Sequence, residues 1–161
     1  MSLQPRLISS IKHDHVAIMR ADWGLTQKII TGEKTIETRW YKTKAIPWDR
    51  IYPGELVYFK DSGMPVTVVG IVSRVEQFSD LTETDVIDLL TKLAKPDGLG
   101  IDSGSIKKFF HLFKDKKYCI AIYLKDIKKI EPFEINKQGF GMQAAWLMVE
   151  TIEKVKTPIA K

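Results

Sequence analysis

Cysteine is nearly absent: Cys119 is the single one in 161 residues. That excludes an intramolecular disulfide and any zinc site built on cysteine pairs, and it points to a reducing compartment, so a cytoplasmic location is expected. Long apolar runs are missing as well. No stretch of about 18 apolar residues is available to cross a membrane, and the N-terminus lacks the apolar core of a secretory signal. Histidine is scarce, and His13, His15 and His111 are scattered without matching cysteines, so no zinc or iron centre is expected. Neither a Gly-rich phosphate loop nor a dinucleotide fingerprint follows the first predicted strand, and there is no serine nucleophile elbow. No cofactor is therefore expected. Internal repeats and low-complexity tracts are also lacking.

What is there is ordinary globular composition, with 44% hydrophobic and 28% charged residues. One domain over residues 13–161 is expected, preceded by a flexible leader over residues 1–12. The net charge of +5 suits a phosphate-rich partner, because each neutralised phosphate releases counterions. Lysines gather in the second half at Lys107-Lys108, Lys114-Lys116-Lys117, Lys125-Lys128-Lys129 and Lys154-Lys156, where a solvated surface is the plainer explanation. Cys119, inside an apolar strand, reads as a small buried hydrophobe.

Patterning predicts a strand from His15 to Arg20, then a helix from Trp23 to Thr31 capped by Asp22, with Trp23, Leu25, Ile29 and Ile30 as packing residues. Pro53-Gly54-Glu55 marks a turn, and Leu56 to Lys60 a strand that ends at Asp61-Ser62-Gly63. Val66 to Val75 is nearly continuously apolar. It predicts a central strand buried on both faces, with Gly70 as a bend or bulge. Thr82 and Asp85 resemble a capping box opening a helix with a stripe of Val86, Leu89, Leu90 and Leu93. Ser103 is the expected cap of a helix over 104–113, whose Phe109, Phe110 and Phe113 read as core. Lys117 to Leu124 and Lys128 to Ile135 read as an antiparallel pair. For Gln143 to Val149, strand and short helix both fit. Short strands with inserted helices give an α+β domain on a curled or closed sheet.

The chemistry concentrates in Gly32-Glu33-Lys34-Thr35-Ile36-Glu37-Thr38-Arg39-Trp40, at a helix-to-strand junction. Gly32 suits the positive φ at a helix end. On the strand that follows, Thr35, Glu37 and Arg39 share one face, and Lys34, at the bend, can still reach Glu37. Two readings stay open: a surface ion pair, or a charged pocket in which either a Lys desolvated beside a Glu becomes a base or Glu and Arg read hydrogen-bonding edges of a base. The segment after it sets Tyr41, Trp48 and Tyr52 among Lys42, Lys44 and Arg50. Such a mixture serves as a stacking platform for bases or as a packed cover. Lys60 with Asp61-Ser62-Gly63 forms either an anion site or a plain hairpin turn.

Gly32 to Arg39 resembles the G-x-K-x-x-E-x-R signature of the ASCH domain family. Pro53-Gly54-Glu55-Leu56-Val57-Tyr58-Phe59 is similar to that family's G-D-x-V strand, with Glu55 in place of Asp. The apolar strand from Val66 and Ile130-Glu131-Pro132 agree, so the resemblance covers roughly residues 15 to 148. It implies the PUA-like superfold, a small β-barrel with surrounding helices, and a cleft for RNA or a nucleobase lined by Lys34, Glu37 and Arg39. On that basis Arg39, Lys34 and Lys60 would meet phosphate or base acceptors, Glu37 would accept from an amino group, Trp40, Tyr41 or Trp48 would stack, and Ser62 would belong to the same ligand-binding set. The alternative is a metal-independent hydrolase of a nucleoside or RNA with Lys34 and Glu37 as catalytic groups. One branch of the family hydrolyses N4-acylated cytidine with a Lys, a Thr nucleophile three residues later and a distant Glu. Lys34 matches that Lys, while Glu37 stands where the Thr would be.

Overall fold

The computed structural model describes residues 12–95, 97–141 and 143–157. The leader expected over residues 1–12 thus falls outside the described residues, Lys12 excepted. Among the described residues seven strands run in chain order: β1 (Asp14–Met19), β2 (Ile36–Tyr41), β3 (Leu56–Asp61), β4 (Val66–Phe78), β5 (Tyr118–Ile135), β6 (Trp146–Val149) and β7 (Lys156–Thr157). Three α-helices accompany them: α1 (Leu25–Thr31), α2 (Glu83–Leu93) and α3 (Ile106–Phe113). The sheet order is β2-β5-β4-β3-β1-β6, with β7 added to the end of β5. β1 and β3 pair in parallel and every other pairing is antiparallel. This mixed sheet curls into a half-barrel, an α+β fold of the PUA-like kind. Among the described residues no helix is long and apolar enough to cross a membrane.

β4 and β5 form the spine. β4 has a buried alternation of Val66, Val68, Gly70 and Val72, with Thr67, Val69 and Ile71 only half-buried. It is therefore not buried on both faces, as its near-continuous apolar run predicts; one face packs the core while the other is only partly covered. The register against β5 shifts between Val69 and Ile71, at Gly70. A Cβ on Gly70 would come 2.5 Å from Ile127 Cδ1, the movable end of a side chain, so Ile127 packs into the room that the glycine leaves.

β5 corrects a second expectation. Lys117–Leu124 and Lys128–Ile135 are not two partners in a hairpin but parts of one 18-residue strand, paired with β4 along most of its length. The polar stretch between them contains Asp126 at φ 52°. Positive φ at an Asp marks a bulge as readily as a turn, and sequence alone does not separate the two.

The helix caps differ in detail as well. Asp22 does not cap α1: a short 3-10 turn over Ala21–Trp23 comes first, Gly24 stands at the N-cap with φ 66°, and Asp22 pairs with Arg20. Gly32 closes α1 with φ 84°, donating its N–H to the Ile29 carbonyl. The Thr82–Asp85 capping box of α2 is complete in both directions. Before α3, the capping side chain is Asp102, which accepts from the Ser105 N–H, rather than Ser103. β6 resolves the Gln143–Val149 alternative as a strand paired with β1.

The core divides by layer. Val57, Phe59, Val68, Val72, Ile120 and Ile122 fill the hollow of the half-barrel beneath α1. Leu89, Leu90, Leu93 and Phe109 hold α2 and α3 against Ile36, Cys119 and Ala121. Burial pushes the Cys119 thiol pKa far up, consistent with an inert packing role.

Candidate functional site

The helix-to-strand junction brings three charges together. Lys34 leaves α1 two residues after Gly32, and its side chain folds beneath the strand. Its Nζ lies 3.2 Å from Glu37 Oε1 and donates to the Ile36 carbonyl at 2.6 Å and the Leu99 carbonyl at 3.1 Å. Those three acceptors match the three donors of an ammonium. Arg39, two residues on and on the same face as Glu37, donates from Nε to Glu37 Oε2 at 2.9 Å, with Nη2 at 2.8 Å from the same oxygen. Lys34 is 2% exposed and Glu37 5%, so the cluster sits where charge interactions are strong.

Burial opposes ionisation of Glu37, but the charges and hydrogen bonds of Lys34 and Arg39 outweigh it and hold the carboxyl below its ordinary range. Burial lowers the Lys34 pKa in spite of Glu37. Burial also raises the pKa of Tyr41, which donates its hydroxyl to the Ile46 carbonyl at 2.8 Å.

Arg39 reaches across the opening of the half-barrel. Nη1 donates to the Ala145 carbonyl at 3.1 Å and Nη2 to the Ile18 carbonyl at 3.4 Å. The guanidinium also stacks over Trp146, 5.1 Å from the ring centre, a favourable cation–π arrangement. It thereby ties β2, at one end of the sheet order, to β1 and β6 at the other.

Behind Trp146 lies a second network that sequence patterning does not reveal. Trp146 Nε1 donates to His15 Nδ1 at 3.0 Å, so His15 must carry its proton on Nε2, which donates to Glu55 Oε1 at 2.9 Å. Glu55 also accepts from the Tyr52 and His13 backbone N–H groups. Burial works against its ionisation, but the bond from His15 and those backbone N–H groups hold its pKa below the ordinary carboxylate value. His15 and Glu55 are 0% and 2% exposed. The turn glutamate is thus a buried anchor for the residue that supports Arg39.

A cavity of about 280 Å³ opens over the charged cluster. Lys34, Glu37 and Arg39 form its polar end, Trp23, Leu99, Ile101, Phe109 and Phe113 make apolar walls, and Ile18, Met19 and Ala145, which Arg39 contacts, also line it. Trp40 and Tyr41 also line it. One face of Trp40 is already covered by Phe113, at 4.9 Å and 6° between planes, and its Nε1 donates to Thr38 Oγ1 at 2.9 Å.

The other residues singled out in the sequence stand elsewhere. Trp48 packs edge-on against Tyr118 at 5.2 Å. Lys60 is 8% exposed, and burial followed by the charge of Lys137 lowers its pKa. Ser62 is in an exposed hairpin turn, its N–H donating to the Met19 carbonyl, and Asp61 accepts from the Thr26 hydroxyl at 2.7 Å. None of these is among the cavity's lining residues. Conversely, Trp23, Phe109 and Phe113 read in the sequence only as packing residues, because helical spacing does not show which side of a packed aromatic stays open. Among the described residues no group of three or more His, Cys, Asp or Glu is placed to hold a metal ion.

No family model matches the chain, and no curated protein does. Solved structures do. A crystal structure of ASCH from Zymomonas mobilis superposes with a TM-score of 0.59 at 12% identity, covering 91% of this chain and 98% of that one. Two mutants of an ASCH protein from the same organism superpose with TM-scores of 0.59 and 0.60 at 14% identity, covering 84% and 86% of this chain and 89% of each of theirs.

Proposed function

We propose, for a chain with the ASCH-domain fold, that the cavity receives one nucleobase of a single-stranded RNA. The observation that carries this is the convergence of Lys34, Glu37 and Arg39 at the polar end of an aromatic-walled cavity of about 280 Å³. That volume lies at the lower limit of small-molecule sites, so it favours a single base over a larger ligand. Flat apolar walls reward stacking, at about 1–3 kcal/mol per base. Two cations facing one carboxylate leave a positive excess that attracts carbonyl and phosphate oxygens. Trp40, Tyr41 and the walls around Trp23 would hold the ring, while Lys60, Ser62 and Trp48 would serve only strand outside the cavity.

Titration of a short single-stranded RNA tests this. Affinity should fall as salt rises, and Arg39→Ala should weaken binding about 10-fold or more, since a charged hydrogen bond contributes about 1.5–3 kcal/mol. Unchanged affinity in a folded Arg39→Ala protein would refute the site.

A hydrolase is the second reading, favoured by one observation: burial lowers the Lys34 pKa beside a carboxylate, the condition for a basic lysine. Against it, all three Nζ donors already have acceptors. Incubation with N4-acetylcytidine or labelled RNA decides between them; product above that of a Lys34→Ala control would establish the enzyme.

A further inference from the structure

β2 is an edge strand, and its Thr38 lines the same cavity. Among the described residues β2 pairs only with β5, and the hydrogen bonds at its ends fix which residues face that partner. The Thr35 carbonyl accepts from the Leu124 N–H and the Tyr41 carbonyl from the Lys117 N–H, so odd-numbered positions point toward β5. Ile36 points away: its N–H donates to the Gly98 carbonyl and its own carbonyl accepts from Lys34 Nζ. Successive residues of an antiparallel edge strand alternate in this way, so the N–H and C=O of Thr38 also point away from β5. Thr38 lines the cavity, as do Ile18 and Ala145. In an extended strand the two groups of one residue lie side by side, a donor beside an acceptor.

We propose that the Thr38 main chain reads a lactam edge of the bound ring, its N–H donating to a ring carbonyl and its C=O accepting from the adjacent ring N–H. This rests on the nucleobase reading above and deepens it to keto bases of the uracil and guanine type. Three observations favour a carbonyl-bearing ring over an amino-bearing one or an added peptide strand. The charged cluster carries one positive charge in excess. Arg39 Nη1 uses one hydrogen on Ala145 and has a second to offer an oxygen. The walls are aromatic, with Trp23 packed edge-on against Phe109 at 5.1 Å, and present ring surface rather than main-chain partners to a ligand. Glu37 already accepts from Lys34 on one oxygen and Arg39 on the other, which leaves it poorly placed to select an exocyclic amine.

Amide NMR with nucleoside monophosphates tests the assignment on the intact chain. With uridine 5′-monophosphate the Thr38 amide proton should move downfield and its solvent exchange slow, and 3-methyluridine 5′-monophosphate, which lacks the ring N–H, should bind at least about 10-fold more weakly. If the Trp40 indole and Arg39 signals shift while the Thr38 amide does not, or the methylated analogue binds equally, the main-chain assignment is overturned and base binding survives. If no monophosphate shifts any cavity signal, both are overturned.

Discussion

Replacing Glu37 by Gln leaves the shape of the charged cluster nearly unchanged and removes the one anion that Lys34 and Arg39 share. Both cations then stay in a site where Lys34 is 2% and Glu37 5% exposed. Breaking a buried pair by removing one partner costs about 3–5 kcal/mol, because the remaining charge is desolvated without compensation. Set against a total stability of about 5–15 kcal/mol, that is a large fraction. In urea, with an m-value of about 2 kcal/mol/M, the midpoint should fall by roughly 1.5–2.5 M with m unchanged. Lys34→Met added to Glu37→Gln should recover part of the loss, since the uncompensated lysine goes with its partner; contacting residues couple by about 0.5–3 kcal/mol. A loss below about 1 kcal/mol for Glu37→Gln would place the cluster with exposed ion pairs and refute the claim that it is buried and cooperative.

His15→Leu should cost about 2–5 kcal/mol by the same unfolding assay, because it strands the buried Trp146 N–H and removes a donor from Glu55; a neutral result would show that the network does not hold Trp146. Gly98→Ala puts a Cβ 2.0 Å from the Leu93 carbonyl oxygen, a backbone atom, and should cost about 1–3 kcal/mol. It should also weaken RNA binding, since it shifts Leu99, whose carbonyl holds Lys34. Stability should fall in acid. Glu37 and Glu55 have folded pKa values below their ordinary 4.5, so the unfolded chain binds more protons there, and the stabilisation, complete above that value, is lost as pH drops through the folded pKa values. Glu37→Gln should flatten this acid limb in a pH series of urea midpoints; an unchanged slope would contradict the shift.

The charged cluster was legible because its cause is local. Lys34, Glu37 and Arg39 are separated by a bend and a two-residue strand period, so spacing alone places them together. The strands were legible where turns bound them, as at Pro53-Gly54 and Asp61-Ser62-Gly63. Reach across the sequence was not. Arg39 finds Ala145, and His15 finds Glu55 and Trp146, only through the parallel pairing of β1 with β3 and the return of β6 to β1, and no periodicity carries that information. The unbroken length of β5 was hidden for a different reason. A polar interruption with one residue at positive φ satisfies a bulge and a hairpin equally, and the choice is made by β4, a long strand that pairs with β5 on both sides of Asp126. The cavity walls were missed because Trp23, Phe109 and Phe113 do pack, as their spacing implies, and line the opening with the faces left over.

If the proposal is right, the cavity over Lys34, Glu37 and Arg39 is where a base is held. A crystal structure of the protein with uridine 5′-monophosphate tests it most directly. The ring should lie inside the cavity, against the aromatic walls and within hydrogen-bonding distance of Arg39 and the Thr38 main chain. A nucleotide bound only along the exposed lysines of β5 or α3, with the cavity unfilled, would contradict it.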